Sequence, residues 1–204
     1  MHVRIQPIVV NARLAVWALG ICVAPLATSS AAAETYRIDP DHTFAHFAVV
    51  HTGVSSVRGR VGVYKGSATL DAAQQSAQVA VELDLRTLDT GVKKLDALLS
   101  GEMFFDVAKF KTARFSGHAA RFADGVPVEF DGELTIRNVT QPIHLTAERF
   151  VCQQVTIFVI KHYVCGGDLS ATLKRSDFGL TKYLGMVSDD VRITISVEAI
   201  REDR

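Results

Sequence analysis

One tryptophan, three cysteines and five prolines are all that 204 residues contain of those types, and neither sign of charge is in excess, with 22 Lys and Arg against 22 Asp and Glu. Balanced charge argues against a nucleic-acid partner, because phosphate backbones are held by clustered cations. The chain has no CxxC, HExxH, GxSxG, GxGxxG or phosphate-cradling GxxxxGKS/T pattern, which removes the local sequence grounds for redox, zinc-protease, hydrolase and nucleotide chemistry. Internal repeats, low-complexity tracts and a second domain are also missing. A hydrophobic content of 48% with 22% charged residues excludes general disorder and suits one globular domain.

The few long apolar stretches are concentrated at the start. Arg4 and Arg13 precede an uncharged apolar run, Leu14 to Ala27, and Ala31-Ala32-Ala33 offers small residues for cleavage. This pattern predicts an export signal over residues 1–33, cut after Ala33, and a domain over 34–204. The strongly apolar part falls short of the roughly 18 residues that a membrane span needs. Cys22 follows the bulky Ile21, which argues against lipidation. Removing 1–33 takes away two basic residues, leaving 20 against 22 and a net charge of −2. It also leaves two cysteines, Cys152 and Cys165, and an even pair in an exported chain predicts a disulfide.

The rest reads as strands. Asp39-Pro40-Asp41 is a turn signal, since proline fixes φ and aspartate bonds its own backbone. A strand should follow, with Thr43, Ala45, Phe47, Val49 and His51 on one face and His42, Phe44, His46, Ala48 and Val50 on the other. Both faces are largely apolar, which suits a closed barrel with a lined interior and a partly covered outside. Val79, Val81, Leu83 and Leu85 alternate with Ala80, Glu82, Asp84 and Arg86, and Val191, Ile193, Ile195, Val197 and Ala199 alternate in the last strand. Val92, Leu95, Leu98 and Leu99 recur at helical spacing, predicting one short amphipathic helix. The following Met103-Phe104-Phe105 is too apolar for water, so it should plug one barrel end or form its mouth. About eight strands result, in an all-β antiparallel barrel whose last strand could close against the first. The cysteine pair is expected to staple a surface excursion between strands.

His42 and His46 share a face but lie too far apart on a strand for one ion, so no metal site is expected. Asp39, Asp96, Arg175, Asp177 and Asp189 sit at element ends, where charge-assisted pairs could lock the barrel mouth.

Several ordered segments carry a likeness. Tyr36-Arg37-Ile38-Asp39-Pro40-Asp41-His42-Thr43 with Phe47, His51, Val57 and Gly59 resembles the opening of the YceI-like, polyisoprenoid-binding family. Thr90, Asp96, Leu99 and Phe104-Phe105-Asp106-Val107 are similar to its helix and turn, and Gly132 to Ile136 with Val139 to Ile143 to its central hairpin. Arg175 to Gly179 and Val187 to Val191 resemble its closing motifs. Leu95 and Leu98 stand where the family usually has arginine and often histidine, which makes the mouth more apolar; Val61 and Lys111 also depart from the pattern. The paired cysteines resemble a subset of the family.

The resemblance implies an exported, periplasmic or secreted eight-stranded lipocalin-like barrel with a long apolar pocket for an isoprenoid or quinone tail, and in many members a homodimer. It implies a non-catalytic carrier or sequestering protein, not an enzyme, with an isoprenoid lipid or quinone as ligand and no other cofactor. The expected wall is Phe47, Val49, Leu99, Phe104, Phe105, Phe115, Leu134, Ile136 and Phe178, with His51, Asp96 and Arg175 near a head group. The competing expectation is a periplasmic stress or interaction protein with a packed barrel and no obligatory ligand. Because Trp17 is the only tryptophan, processed protein starting at Glu34 should give no tryptophan emission. Such emission from an exported sample would show that the leader had been retained.

Overall fold

A computed structural model describes residues 33–202; the expected leader, Ala33 apart, lies outside them. Among the described residues nine antiparallel strands and one helix follow one another: β1 (Glu34–Ile38), β2 (Phe44–His51), β3 (Ser55–Asp71), β4 (Ser76–Asp89), α1 (Lys93–Ser100), β5 (Thr112–Ala123), β6 (Val126–Ile136), β7 (Val139–Ile157), β8 (Ile160–Lys174) and β9 (Asp190–Arg201). A 3₁₀ turn at Arg175–Phe178 follows β8.

The strands form a ring of eight positions, because β1 and β2 share one. β2 pairs with β3 through Phe44–Gly62 to His51–Ser55 and with β9 through Phe44–Ser196 to Ala48–Arg192. β1 takes over further along the same two neighbours, opposite Ser67–Leu70 of β3 and Ala199–Arg201 of β9. The Asp39-Pro40-Asp41 corner lies between them, and the Asp39 side chain accepts from the Asp41 N–H at 3.1 Å. The expected closure of the last strand on the first is therefore present, through both halves of an interrupted strand.

At this break the backbone groups of Glu198 in β9 take their partners from both sides of the corner. The Glu198 carbonyl accepts from the Asp39 N–H at 2.9 Å and from the Thr43 hydroxyl at 3.3 Å. The Glu198 N–H donates to the same hydroxyl at 3.2 Å. Thr43 is 2% exposed, so its hydroxyl is a buried stand-in for a missing ladder contact.

Turn chemistry sets the register of the hairpins. At Asp124-Gly125 both residues have positive φ, +50° and +80°, the conformation that two-residue hairpins favour and that Asp-Gly supplies at little steric cost. Burial of β2 is uneven. Phe44, on its outer face, is half-buried with the Arg60 guanidinium 5.2 Å from its ring centre, while His46 and Val50 are exposed. The expectation of two buried faces is not met: the inner face is half-buried from Ala45 to Val49 and exposed at His51, and the outer face is exposed at His46 and Val50.

The segment after Phe150 also departs from expectation. It is no excursion between strands: β7 and β8 run on as one ribbon, paired from Thr146–Ser170 to Ile157–Ile160. Cys152 and Cys165 stand directly opposite each other and are joined, with Cα atoms 4.0 Å apart. Cys165 is buried with Tyr36, Ile38, Val63 and Ala199 at the barrel end remote from α1. The bond therefore lies inside the fold, where it pins the root of the ribbon.

A cross-link over a separation of 13 residues stabilises by roughly 3 kcal/mol in the chain-entropy view. Replacing both cysteines by serine is expected to cost about 2–3 kcal/mol, read as a lower midpoint in denaturant, with reducing agent affecting only the parent protein. An unchanged midpoint on reduction would remove this role.

Candidate ligand cavity

The side chains that alternate inward along the strands do not meet in the middle. They enclose a cavity of about 580 Å³, within the range of small-molecule sites. From β4 come Val79, Val81, Leu83 and Leu85, and from β9 Val191, Ile193, Ile195, Val197 and Ala199, in each case every second residue. Leu145 and Leu169 add the walls of β7 and β8. Many of these side chains are only half-buried, because they face empty space and not one another.

Phe47, Val49, His51, Leu99, Phe104, Phe105, Phe115, Leu134, Ile136, Arg175 and Phe178 all line this space. Two aromatics are seated by glycine. A Cβ on Gly59, the partner of Phe47 across the ladder, would come within 2.4 Å of the Phe47 ring, and one on Gly132 within 2.7 Å of the Phe115 ring. The glycines let each ring lie flat along the wall.

One end is closed by Tyr36 and Ile38, both buried. The Tyr36 hydroxyl donates to Glu34 Oε2 at 2.6 Å, while Arg201 donates to the other Glu34 oxygen at 2.7 Å. Burial, and then the Glu34 carboxylate, push the Tyr36 phenol far above its ordinary range. It stays a neutral donor.

The other end carries α1, the Met103-Phe104-Phe105 segment and the loop from Gly179 to Asp189. Leu95, Leu98 and Leu99 of the helix line the cavity there, as do Phe104 and Phe105; the expected plug is in place. Tyr183 and Met186 line the cavity and are also exposed, so the apolar wall continues onto the rim. Phe104 and Tyr183 stack at 6.2 Å between ring centres.

Arg175 holds this rim together. Its Nε donates to the Ser188 carbonyl at 2.9 Å, Nη1 to Leu180 at 2.5 Å and Lys182 at 2.8 Å, and Nη2 to Val187 at 3.0 Å. Burial pulls the guanidinium below its ordinary value, and Asp189 counteracts this. Asp189 accepts from the Ser176 N–H at 2.9 Å and hydroxyl at 2.7 Å, and these bonds hold its carboxyl below the usual range. The expected locking of the mouth by charged residues is thus realised chiefly on backbone carbonyls. Four of the five N–H donors of Arg175 are engaged there.

Asp96 is corrected more sharply, because it does not line the cavity. It accepts from the Thr90 N–H at 2.8 Å and hydroxyl at 2.6 Å, fixing the approach to α1. Asp177 is exposed, and its backbone carbonyl accepts from Gln141 at 2.8 Å. Lys182, which pattern reading missed, lies at the mouth. The remaining wall residues were legible as alternating strand faces, but nothing local indicated that those faces enclose a void.

Among the described residues, three groups converge closely enough to hold a cation, Asp39, His42 and Glu198. His42 is paired with Asp39 at 2.8 Å. That hydrogen bond, and then the charge behind it, raise the His42 pKa. Buried side-chain nitrogens and oxygens among the described residues all have partners. The interior surface is largely carbon, with His51, Arg175 and Lys182 among the few polar residues that line it.

A model of the YceI-like domain matches residues 36–199. The chain is 34% identical over 188 residues to a UPF0312 protein of Pseudomonas aeruginosa, covering 91% of this chain and 96% of that one. It is 32% identical over 189 residues to Protein YceI of Salmonella arizonae, covering 90% and 97%. Among solved structures, BcnA of Burkholderia cenocepacia superposes with a TM-score of 0.59 at 19% identity, covering 79% of this chain and 98% of that one. A polyisoprenoid binding domain from Saccharophagus degradans superposes with a TM-score of 0.58 at 16% identity, covering 82% and 98%.

Replacing Arg175 by methionine leaves four carbonyls without their charged donor. This should cost about 3 kcal/mol and speed amide exchange through 180–188. His51→Ala, at an exposed strand end, should leave both unchanged. Equal effects of the two substitutions would contradict the anchoring role.

Proposed function

The chain belongs to the YceI-like domain family, and from that premise we propose that it binds one amphiphilic isoprenoid lipid, of polyprenyl or quinone type, to carry or sequester it without a chemical step of its own. The observation that carries this reading is the cavity: a closed barrel with carbon-lined walls and an apolar rim at one end. At roughly 0.8 kcal/mol per buried CH₂, part of one isoprenoid tail offsets the entropy of association. The polyisoprenoid binding domain of Saccharophagus degradans has the same fold, which supports assigning the same ligand class. The tail lies in the barrel and the head group at the mouth, near His51, Arg175 and Lys182, which line the cavity as Asp96 does not.

The setting that fits is the periplasm or the extracellular space, since a bond such as Cys152–Cys165 persists in oxidising compartments. Among the described residues no helix is long and apolar enough to cross a membrane. The alternative of a packed barrel working through its surface finds less support, because a packed interior leaves no space of this size.

Native mass spectrometry of protein purified from cells, followed by lipid extraction, tests the reading. A recurrent adduct of isoprenoid mass is expected, and Leu134→Trp, which fills the wall, should reduce its occupancy at least tenfold. A clean apo mass after gentle handling, with no uptake of an added polyprenol, would overturn it.

A further inference from the structure

The apolar stretch Val155–Ile160 has no part in the cavity. β8 first meets β9 at the pair Val164–Ile200, and β7 leaves β6 at Thr146–Glu129. Tyr163 still packs against the core at this end, so the ribbon from Ile160 to His162 stands clear of the ring by about 10 Å, at 3.3 Å per residue, at the end opposite the mouth. Its tip is a two-residue turn, Phe158-Val159, closed by the pair Ile157–Ile160. Phe158 is 94% exposed and Val159 91%, with Ile160 and Ile157 also exposed. Phe158 also has φ +55°, a conformation that glycine or asparagine adopts at less cost. A large aromatic held there, in water, is costly twice over.

We propose that this tip is a membrane-docking finger that inserts into the surface of an anionic lipid bilayer. Four side chains at a hairpin tip fall well short of the roughly 800 Å² per partner of a standard protein interface, but they match the shallow insertion of interfacial anchors. Backbone polarity is no obstacle, because the ladder pairs Ile157 with Ile160 and Thr156 with Lys161, leaving only the turn peptides to remain near the head groups. Charge agrees. From Phe150 to Gly167 the chain carries Lys161 and His162 and no carboxylate, and a lysine beside an apolar tip can extend to lipid phosphates. The assignment does not depend on what the cavity holds.

Vesicles of phosphatidylethanolamine and phosphatidylglycerol test it, using the full chain. With Trp17→Phe and Phe158→Trp, the one tryptophan is at the tip. Its emission should shift to the blue on adding vesicles and be quenched by brominated lipid. Phe158→Asp should weaken vesicle co-sedimentation at least tenfold, the loss expected from removing one buried aromatic side chain. If Phe158→Asp disturbs the thermal transition, Val159→Ser serves instead. Adduct occupancy in the native mass spectrum should be the same in parent and variants, which separates docking from ligand binding. Unshifted tip emission in vesicle-bound protein, or equal co-sedimentation of parent and variant, overturns the proposal. So does self-association that Phe158→Asp abolishes, which would assign the tip to a second copy of the chain.

Discussion

The ring closes through the backbone of Glu198. Antiparallel barrels are stable because closure leaves no unpaired edge, yet here the closing strand is broken by the Asp39-Pro40-Asp41 corner. Across that break the Glu198 carbonyl takes the Asp39 N–H, and its N–H reaches the buried Thr43 hydroxyl. One side chain in the right place lets β1 and β2 behave as a single strand position. Every inward face farther along the ring owes its direction to that register, since a slip of one residue would turn the whole lining outward.

Closure at eight positions also determines that there is something to fill. At that size a barrel either packs its own side chains or keeps room for one small ligand. Here the second outcome prevails. Much of the lining is Val, Leu and Ile, and the rings of Phe47 and Phe115 lie along the wall over Gly59 and Gly132. Arg175 then spends a buried charge on four loop carbonyls. This keeps the rim in one shape.

The two ends have opposite characters. The mouth joins cavity to rim through Tyr183 and Met186. The far end is sealed around Tyr36, Glu34 and Arg201 and pinned by Cys152–Cys165, and from it the exposed β7–β8 tip projects. Sealing and projection are connected, because a ribbon without a third strand keeps its direction only if its root is fixed.

Period-two alternation in β4 and β9, the Asp-Pro-Asp corner, the Asp124-Gly125 turn and the helical spacing of Leu95, Leu98 and Leu99 are local features, so the barrel, the helix α1 and most of the cavity wall were legible from residue order alone. The sequence also named the joined cysteines, since only two remain beyond the expected leader. Other properties depend on which groups meet across the ring. Asp96 and Arg175 look alike in a sequence, as charges beside apolar neighbours, but tertiary contacts send one to Thr90 and the other to the Gly179–Asp189 loop. Whether alternating faces pack or enclose a void is decided by the diameter of the closed ring. That the Val155–Ile160 run stands in water is decided by where β6 and β9 end, because strand pairing between distant segments, and not composition, sets how far a ribbon extends past its neighbours.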